Sequence, residues 1–187
     1  MINTSRLARS AAAVAALVIA GTASAQAQPS PNGTFTAEAG ISYLSGKSLA
    51  FRDVDSSDRD SRGLNLAFGW EHPSGFGVRA LYISDLQFRS VPFVRPEKSF
   101  DDFIGVEATG SLPLASTLNL KGGLGIGRSR LDDGFDGSHG DSSHDTDGVL
   151  SAGLQWRPAR HFALELRVDH LTKTGITATS LMAQVPF

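Results

Sequence analysis

The chain has 187 residues, with 17 basic side chains against 19 acidic ones, 20 glycines, 8 prolines and no cysteine. A formal net charge of −2 leaves no nucleic-acid footprint, and an exported domain with no cysteine must hold together without disulfides. Past the first 25 residues, no segment has the run of about 18 apolar residues expected of a membrane-spanning helix.

The start of the chain reads as an export signal. Arg6 and Arg9 give a positive beginning, Ser10 to Ala23 is small and apolar, and Ala23-Ser24-Ala25 forms an A-x-A cleavage site. Ala25-Gln26-Ala27 is a nearby alternative. The expected organisation is a removed signal over 1–25 and a single domain over 26–187.

From Thr34 onward the chain alternates with a period of two, the signature of strands with one apolar face. The first run sets Phe35, Ala37, Ala39, Ile41 and Tyr43 against Thr34, Thr36, Glu38, Gly40 and Ser42. In the second, Leu64, Leu66, Phe68 and Trp70 oppose Asn65, Ala67, Gly69 and Glu71. The third has Phe76, Val78, Ala80 and Tyr82 opposite Gly77 and Arg79, with Leu81 and Ile83 blurring the pattern. The fourth has Ile104, Val106, Ala108 and Leu112 opposite Gly105, Glu107, Thr109 and Ser111.

The second half repeats the scheme. Leu118, Leu120, Leu124 and Ile126 alternate with Asn119, Lys121, Gly123, Gly125 and Gly127. Leu150, Ala152, Leu154 and Trp156 follow, then Phe162, Leu164, Leu166 and Val168, each set alternating with polar residues or glycine. The last run carries Leu181, Ala183, Val185 and Phe187 on its apolar side, with Met182 and Pro186 as imperfect members of the polar side.

The connections decide what kind of sheet this is. Pro73-Ser74-Gly75, Pro113 to Ser116 and Pro158 to His161 are tight turns, whereas Ser45 to Arg62, Ser84 to Asp101 and Arg128 to Asp147 are long. The last connection on the long side, Thr172 to Gly175, is short. An even strand count with short and long connections in strict alternation predicts an all-β fold, an eight-stranded antiparallel up-and-down transmembrane β-barrel. Trp70, Phe76, Trp156 and Phe162 fall beside the short turns, and Tyr43 and Tyr82 toward the long loops, as two membrane-interface girdles would require. Phe187, an aromatic at the end of an alternating strand, is the expected assembly signal for the barrel assembly machinery.

Eight strands enclose an interior that side chains can fill. Glu38, Arg79, Glu107, Lys121, Glu165 and Arg167 should form an ion network inside it, because unpaired buried charges cost several kcal/mol each. Glu107 and Lys121 are expected to pair directly, and Glu165 and Arg167 to extend the network toward Glu38.

In this arrangement, with phrases such as Leu120-Lys121-Gly122-Gly123-Leu124-Gly125 and Gly148-Val149-Leu150-Ser151-Ala152-Gly153-Leu154, the chain resembles the small OmpA- and OmpX-type outer-membrane barrels over nearly all of 33–187. The resemblance implies an outer-membrane location and a non-enzymatic role in envelope integrity, surface interaction or limited permeation. It also implies partners among outer-membrane lipids and lipopolysaccharide. The peptidoglycan-binding domain of full-length OmpA proteins has no counterpart in the expected domain organisation.

A second, weaker resemblance is to PagL-type lipid A deacylases. His170-Leu171-Thr172-Lys173 stands where that family has His-x-Ser-Asn, which makes His170 and Thr172 the alternative catalytic pair. Thr172 replaces the serine, Lys173 the asparagine, and Thr177 holds the acidic position. A nucleophile needs both a base and an orienting group within reach.

The loops offer a third reading. Asp132, Asp133, Asp136, Asp141, Asp145 and Asp147, with His139 and His144, are spaced by glycine and serine. Oxygen-rich loops hold Ca²⁺ and histidines recruit transition metals, although no complete metal signature is present. No cofactor is expected apart from a divalent cation at these outer loops, which in this alternative would serve a surface adhesin. The first loop mixes Asp53, Asp55, Asp58 and Asp60 with Arg52, Arg59 and Arg62, charges suited to lipopolysaccharide phosphates. The second carries Phe88, Val91, Phe93 and Val94, and is expected to fold back on the rim.

Overall fold

The computed structural model describes residues 33–46, 60–86, 99–132 and 142–187. The expected signal, the second loop from 87 to 98, most of the first loop and residues 133–141 of the third lie outside these residues. The described residues form eight strands: β1 (Thr34–Gly46), β2 (Asp60–Glu71), β3 (Phe76–Asp85), β4 (Ser99–Ala115), β5 (Leu118–Asp132), β6 (Ser142–Ala159), β7 (Phe162–Leu171) and β8 (Ile176–Pro186). Each pairs antiparallel with its sequence neighbours, and β8 pairs with β1 to close the barrel. The backbones of Phe35 and Phe187 exchange two hydrogen bonds, 3.1 and 2.9 Å, across that seam.

Register fixes the tilt. Paired residues run round the wall from Phe35 through Trp70, Val78, Ala108, Leu124, Leu150, His170 and Thr177, and return to β1 at Ser45, ten residues further along. Such a stagger goes with strands inclined by about 35–45° to the barrel axis. A tilted strand of roughly 9–11 residues crosses a bilayer core, which matches β3, β7 and β8, at 10, 10 and 11 residues.

The burial pattern is inverted relative to a water-soluble barrel. Ile41 is 71% exposed, Leu124 67% and Val106 62%, all on the outward phase, whereas Arg167 on the inward phase is 0% exposed. Among the described residues the outer wall has no partner. Its apolar alternation makes sense against acyl chains, and the inward polar phase makes sense only if its members satisfy one another.

Three expectations about connections change. β4 and β5 continue to a turn at Ser116 and Thr117, beyond the proline at 113, with a register irregularity between Pro113 and Ala115. The turn between β6 and β7 is Arg160 and His161. The β5–β6 ladder runs on to Asp132 and Ser142, so much of the expected third loop is strand. A ladder standing beyond the bilayer needs no apolar face, so the alternation that marks the other strands is missing there.

Candidate functional site

The lumen is filled in two tiers. The lower tier, toward the short turns, is polar and centres on Arg79. Its guanidinium donates from Nη2 to Glu107 Oε2 at 2.9 Å, from Nε to the same oxygen at 3.2 Å, and from Nη1 to Glu38 Oε2 at 3.2 Å. Glu165 Oε1 lies 3.7 Å from Nη1. Thus one cation on β3 draws together carboxylates from β1, β4 and β7.

Arg167 extends the cluster upward, donating from Nε to Asp169 Oδ1 at 2.6 Å and approaching Glu38 Oε2 at 3.8 Å. Lys121 extends it downward, with Nζ 3.3 Å from Glu71 Oε2 and 3.9 Å from Glu165 Oε2. Gln184 donates to Glu165, Gln155 to Gln184 and Ser151 to Glu107, and Asn119 donates to Gln155 at 2.9 Å. Higher up, Asn65 bonds Asp169 and Ser180 at 3.3 and 3.1 Å. All six residues named from the sequence for this network are buried.

The expected Glu107–Lys121 pair does not form. Glu107 is registered with Gly125 and Lys121 with Ser111, because the hairpin turns at Ser116 and Thr117 and sets the two residues at different heights. Each takes another partner, Arg79 for Glu107 and Glu71 for Lys121. Gly123 leaves room for this arrangement, since a β-carbon there would fall on Glu107 Oε1.

The upper tier is apolar, so the polar inward phase expected from the alternation does not extend to the rim. Leu44, Leu81, Ile83, Phe100, Phe103, Val149, Leu171, Ile176 and Ala178 pack as one cluster beneath the outer rim. The Phe103 ring lies over two glycines: a β-carbon on Gly105 or Gly127 would approach its Cζ to 2.7 or 2.5 Å. The triplet Leu81-Tyr82-Ile83 and the doublet Phe103-Ile104 were the sequence signal for this layer, because adjacent apolar residues on one strand must put a member on each face.

Asp147 seals the top. Fully buried, it accepts hydrogen bonds from Lys173 N (2.6 Å), Thr174 N (3.1 Å), Thr174 Oγ1 (2.8 Å) and Ser129 Oγ (3.1 Å). It therefore pins the β7–β8 turn, Thr172 to Gly175, to the rim. Asp147 lies on β6 above Val149, the last residue paired with β7, and so outside the bilayer span. Burial alone would raise its pKa, but the donors from Lys173, Thr174 and Ser129 more than reverse that and hold it below the ordinary aspartate range. With the folded value below the unfolded one, the stabilisation is complete above the unfolded value of about 4 and fades as pH falls through the folded value. Asp147→Ala is expected to cost about 1–3 kcal/mol, since it orphans buried donors. Faster amide exchange at Lys173 and Thr174, at neutral pH and not below the folded pKa, checks it.

The other sequence candidates separate. His170 faces outward, and its Nδ1 lies 3.0 Å from Thr177 Oγ1, whereas Thr172 Oγ1 donates to Asp147 at 3.4 Å. The alternative catalytic pair, His170 and Thr172, is not hydrogen-bonded together. Of the metal candidates, Asp133, Asp136, His139 and Asp141 lie outside the described residues, as does the side chain of Asp132. Asp145 pairs with Lys173 at 2.8 Å, Asp147 serves the turn, and His144 is exposed. Among the described residues no three metal-binding side chains gather.

The six aromatics expected at the membrane interfaces lie on the outward phase. Phe76 is 72% exposed, Trp156 and Tyr43 about half exposed, and Trp70, Phe162 and Tyr82 partly buried. Phe187 stacks on Phe35 with ring centroids 6.3 Å apart and meets Phe68 at 6.0 Å.

Residues 13–185 match the family described as the outer membrane protein beta-barrel domain. No curated protein matches. Among solved structures, the chain is similar to Ail, the attachment invasion locus protein of Yersinia pestis, in complex with the heparin analogue sucrose octasulfate. There the identity is 19% and the TM-score 0.59, over 83% of this chain and 99% of that one. Neisserial surface protein A gives 13% identity and a TM-score of 0.59, over 83% and 97%. The N-terminal β-barrel domain of Pseudomonas aeruginosa OprF gives 9% and 0.55, over 83% and 100%. At these identities the likeness speaks to the fold.

Proposed function

Because the chain belongs to the outer membrane protein β-barrel domain family, at home in the bacterial outer membrane, we propose that it is a closed, non-enzymatic barrel that supports the envelope and meets lipopolysaccharide at its outer rim. The observation that carries the reading is the lumen, filled by ion pairs below and hydrocarbon above. Solutes have no continuous wet path through such a filling, and a hydrophobic constriction resists wetting. Permeation, on this reading, is very limited.

The rim supports the lipid contact. Arg62, Arg128 and Arg130 are exposed on the outward phase, just above the apolar wall, where guanidinium groups meet lipid phosphates bidentately. Delivery by the barrel assembly machinery belongs to the same proposal. The hydrolase alternative gains no support from His170 and Thr172, whose hydrogen bonds go to different partners.

Planar-bilayer recording of the purified protein tests the reading. A quiet membrane at moderate voltage is the expected result, and steady single-channel steps would overturn the sealed lumen.

A further inference from the structure

The buried charges of the lower tier do not sum to zero. Among the described residues Glu38, Glu107, Glu165 and Asp169 stand against Arg79, Lys121 and Arg167, four carboxylates to three cations. Adding Glu71 and Arg157, half-buried at the short-turn end, leaves the same excess of one negative charge. A group left with an uncompensated charge in such an interior takes up a proton instead.

The hydrogen bonds single out one carboxylate. Glu107 accepts from Arg79 and Ser151, Glu38 from Arg79 and Thr36, and Asp169 from Arg167 and Asn65. Glu165, 1% exposed, accepts from the neutral amide of Gln184, while Arg79 Nη1 and Lys121 Nζ stand off at 3.7 and 3.9 Å. Its Oε1 has no hydrogen-bond partner among the described residues. The amides behind it run in one sense. Arg157 has donors alone, so the Gln155 oxygen faces it at 3.1 Å. The Gln155 nitrogen then faces the Gln184 oxygen, and the Gln184 nitrogen faces Glu165 Oε2. Oε2 is therefore an acceptor, and Oε1 is the place left for a hydrogen.

We propose that Glu165 is a proton-binding site of the lumen, occupied at neutral pH, with the hydrogen on Oε1 and Glu38 Oε2 as its acceptor. Glu38 Oε2 is held 3.2 Å from Arg79 Nη1, the same nitrogen that Oε1 approaches. The charged groups packed around the site are Glu38 from β1, Arg79 from β3, Glu107 from β4, Lys121 from β5, and Arg167 and Asp169 from its own strand. Glu71 of β2 enters through Lys121, and β6 and β8 present the amides Gln155 and Gln184. With Glu165 neutral, three carboxylates meet three cations and the tier carries no net charge. A metal cation would not serve instead, because Arg79 and Lys121 flank Glu165 and repel it. The chain therefore takes one proton from water as it folds into the membrane.

Infrared spectroscopy of the full chain, folded in a detergent without carbonyl groups, tests the site. At neutral pH the protein should show a carboxylic acid C=O band, apart from the carboxylate bands and shifted by D₂O, and Glu165→Gln should lose it. Glutamine keeps the shape and the donor of the neutral acid, so Glu165→Gln should fold and keep the urea midpoint of the parent protein. Glu107→Gln should lower the midpoint and keep the band, because that carboxylate is held by Arg79 as an anion. Unfolding in weak buffer with a pH-indicator dye should release about one proton more from the parent than from Glu165→Gln, since the folded parent binds the extra proton. No acid band at neutral pH, a band that survives Glu165→Gln, equal proton release, or a Glu165→Gln midpoint as low as that of Glu107→Gln would each overturn the proposal. The first of these is read on the parent protein and depends on no variant folding.

Discussion

Arg79→Ala is expected to destabilise the barrel by about 3–5 kcal/mol, the range for removing one partner of a buried ion pair. The guanidinium is the only cation that touches Glu38, Glu107 and Glu165 together among the described residues. Without it three buried carboxylates crowd one layer of the lumen with Lys121 and Arg167 at its margins. Urea unfolding in lipid vesicles, followed by tryptophan fluorescence, measures the loss. Lysine at position 79 should recover part of it, because an ammonium keeps the charge and gives up the forked geometry that serves Glu107 and Glu38 at once. Glu107→Gln added to Arg79→Ala should cost less than the sum of the two, since it removes one of the orphaned charges. A loss below about 1 kcal/mol would mean that water, and not Arg79, satisfies these carboxylates.

The second large effect concerns conductance. If the polar tier alone closed the barrel, Arg79→Ala would open it. Two barriers in series behave differently: the hydrocarbon layer of Phe103, Ile83 and Leu171 above the ion pairs should keep the Arg79 variant silent in planar bilayers. Phe103→Ala with Ile83→Ala thins that layer and leaves the ion pairs in place, so brief, irregular openings are expected. All three substitutions together should give steady steps. Heat-dependent gel migration shows that each variant is folded before it is recorded. Steady conduction by the Arg79 variant alone would remove the apolar tier as a barrier.

How far the sequence carried depends on which force wrote each pattern. Lipid demands an apolar outward phase over a whole crossing, so the eight strands were plain from Phe35, Val78, Leu124 or Trp156. Burial of charge in a closed lumen requires partners, so the members of the network were plain as well. Their pairing was not, because it hangs on where the β4–β5 hairpin turns, and two polar residues there, Ser116 and Thr117, look no different from the loop beside them. The upper tier was hidden for another reason. Leu81 and Ile83 are apolar on the inward phase, and hydropathy cannot tell a side chain facing lipid from one facing hydrocarbon inside the barrel. The rise of β5 and β6 beyond β7 was hidden because no lipid touches it.

One consequence follows from the bare inner lane of β5, where Gly123, Gly125 and Gly127 succeed one another. That lane admits Glu107 and Phe103, but glycine in a strand gives up side-chain contacts and gains slack. Left between short neighbours, β5 would be the stave most ready to spring. It stands instead between the two longest strands of the cask, β4 with 17 residues and β6 with 18. Their ladders with β5 run past both ends of that lane, from Leu118 to Asp132, so the plank with the least grain of its own is clamped on either side.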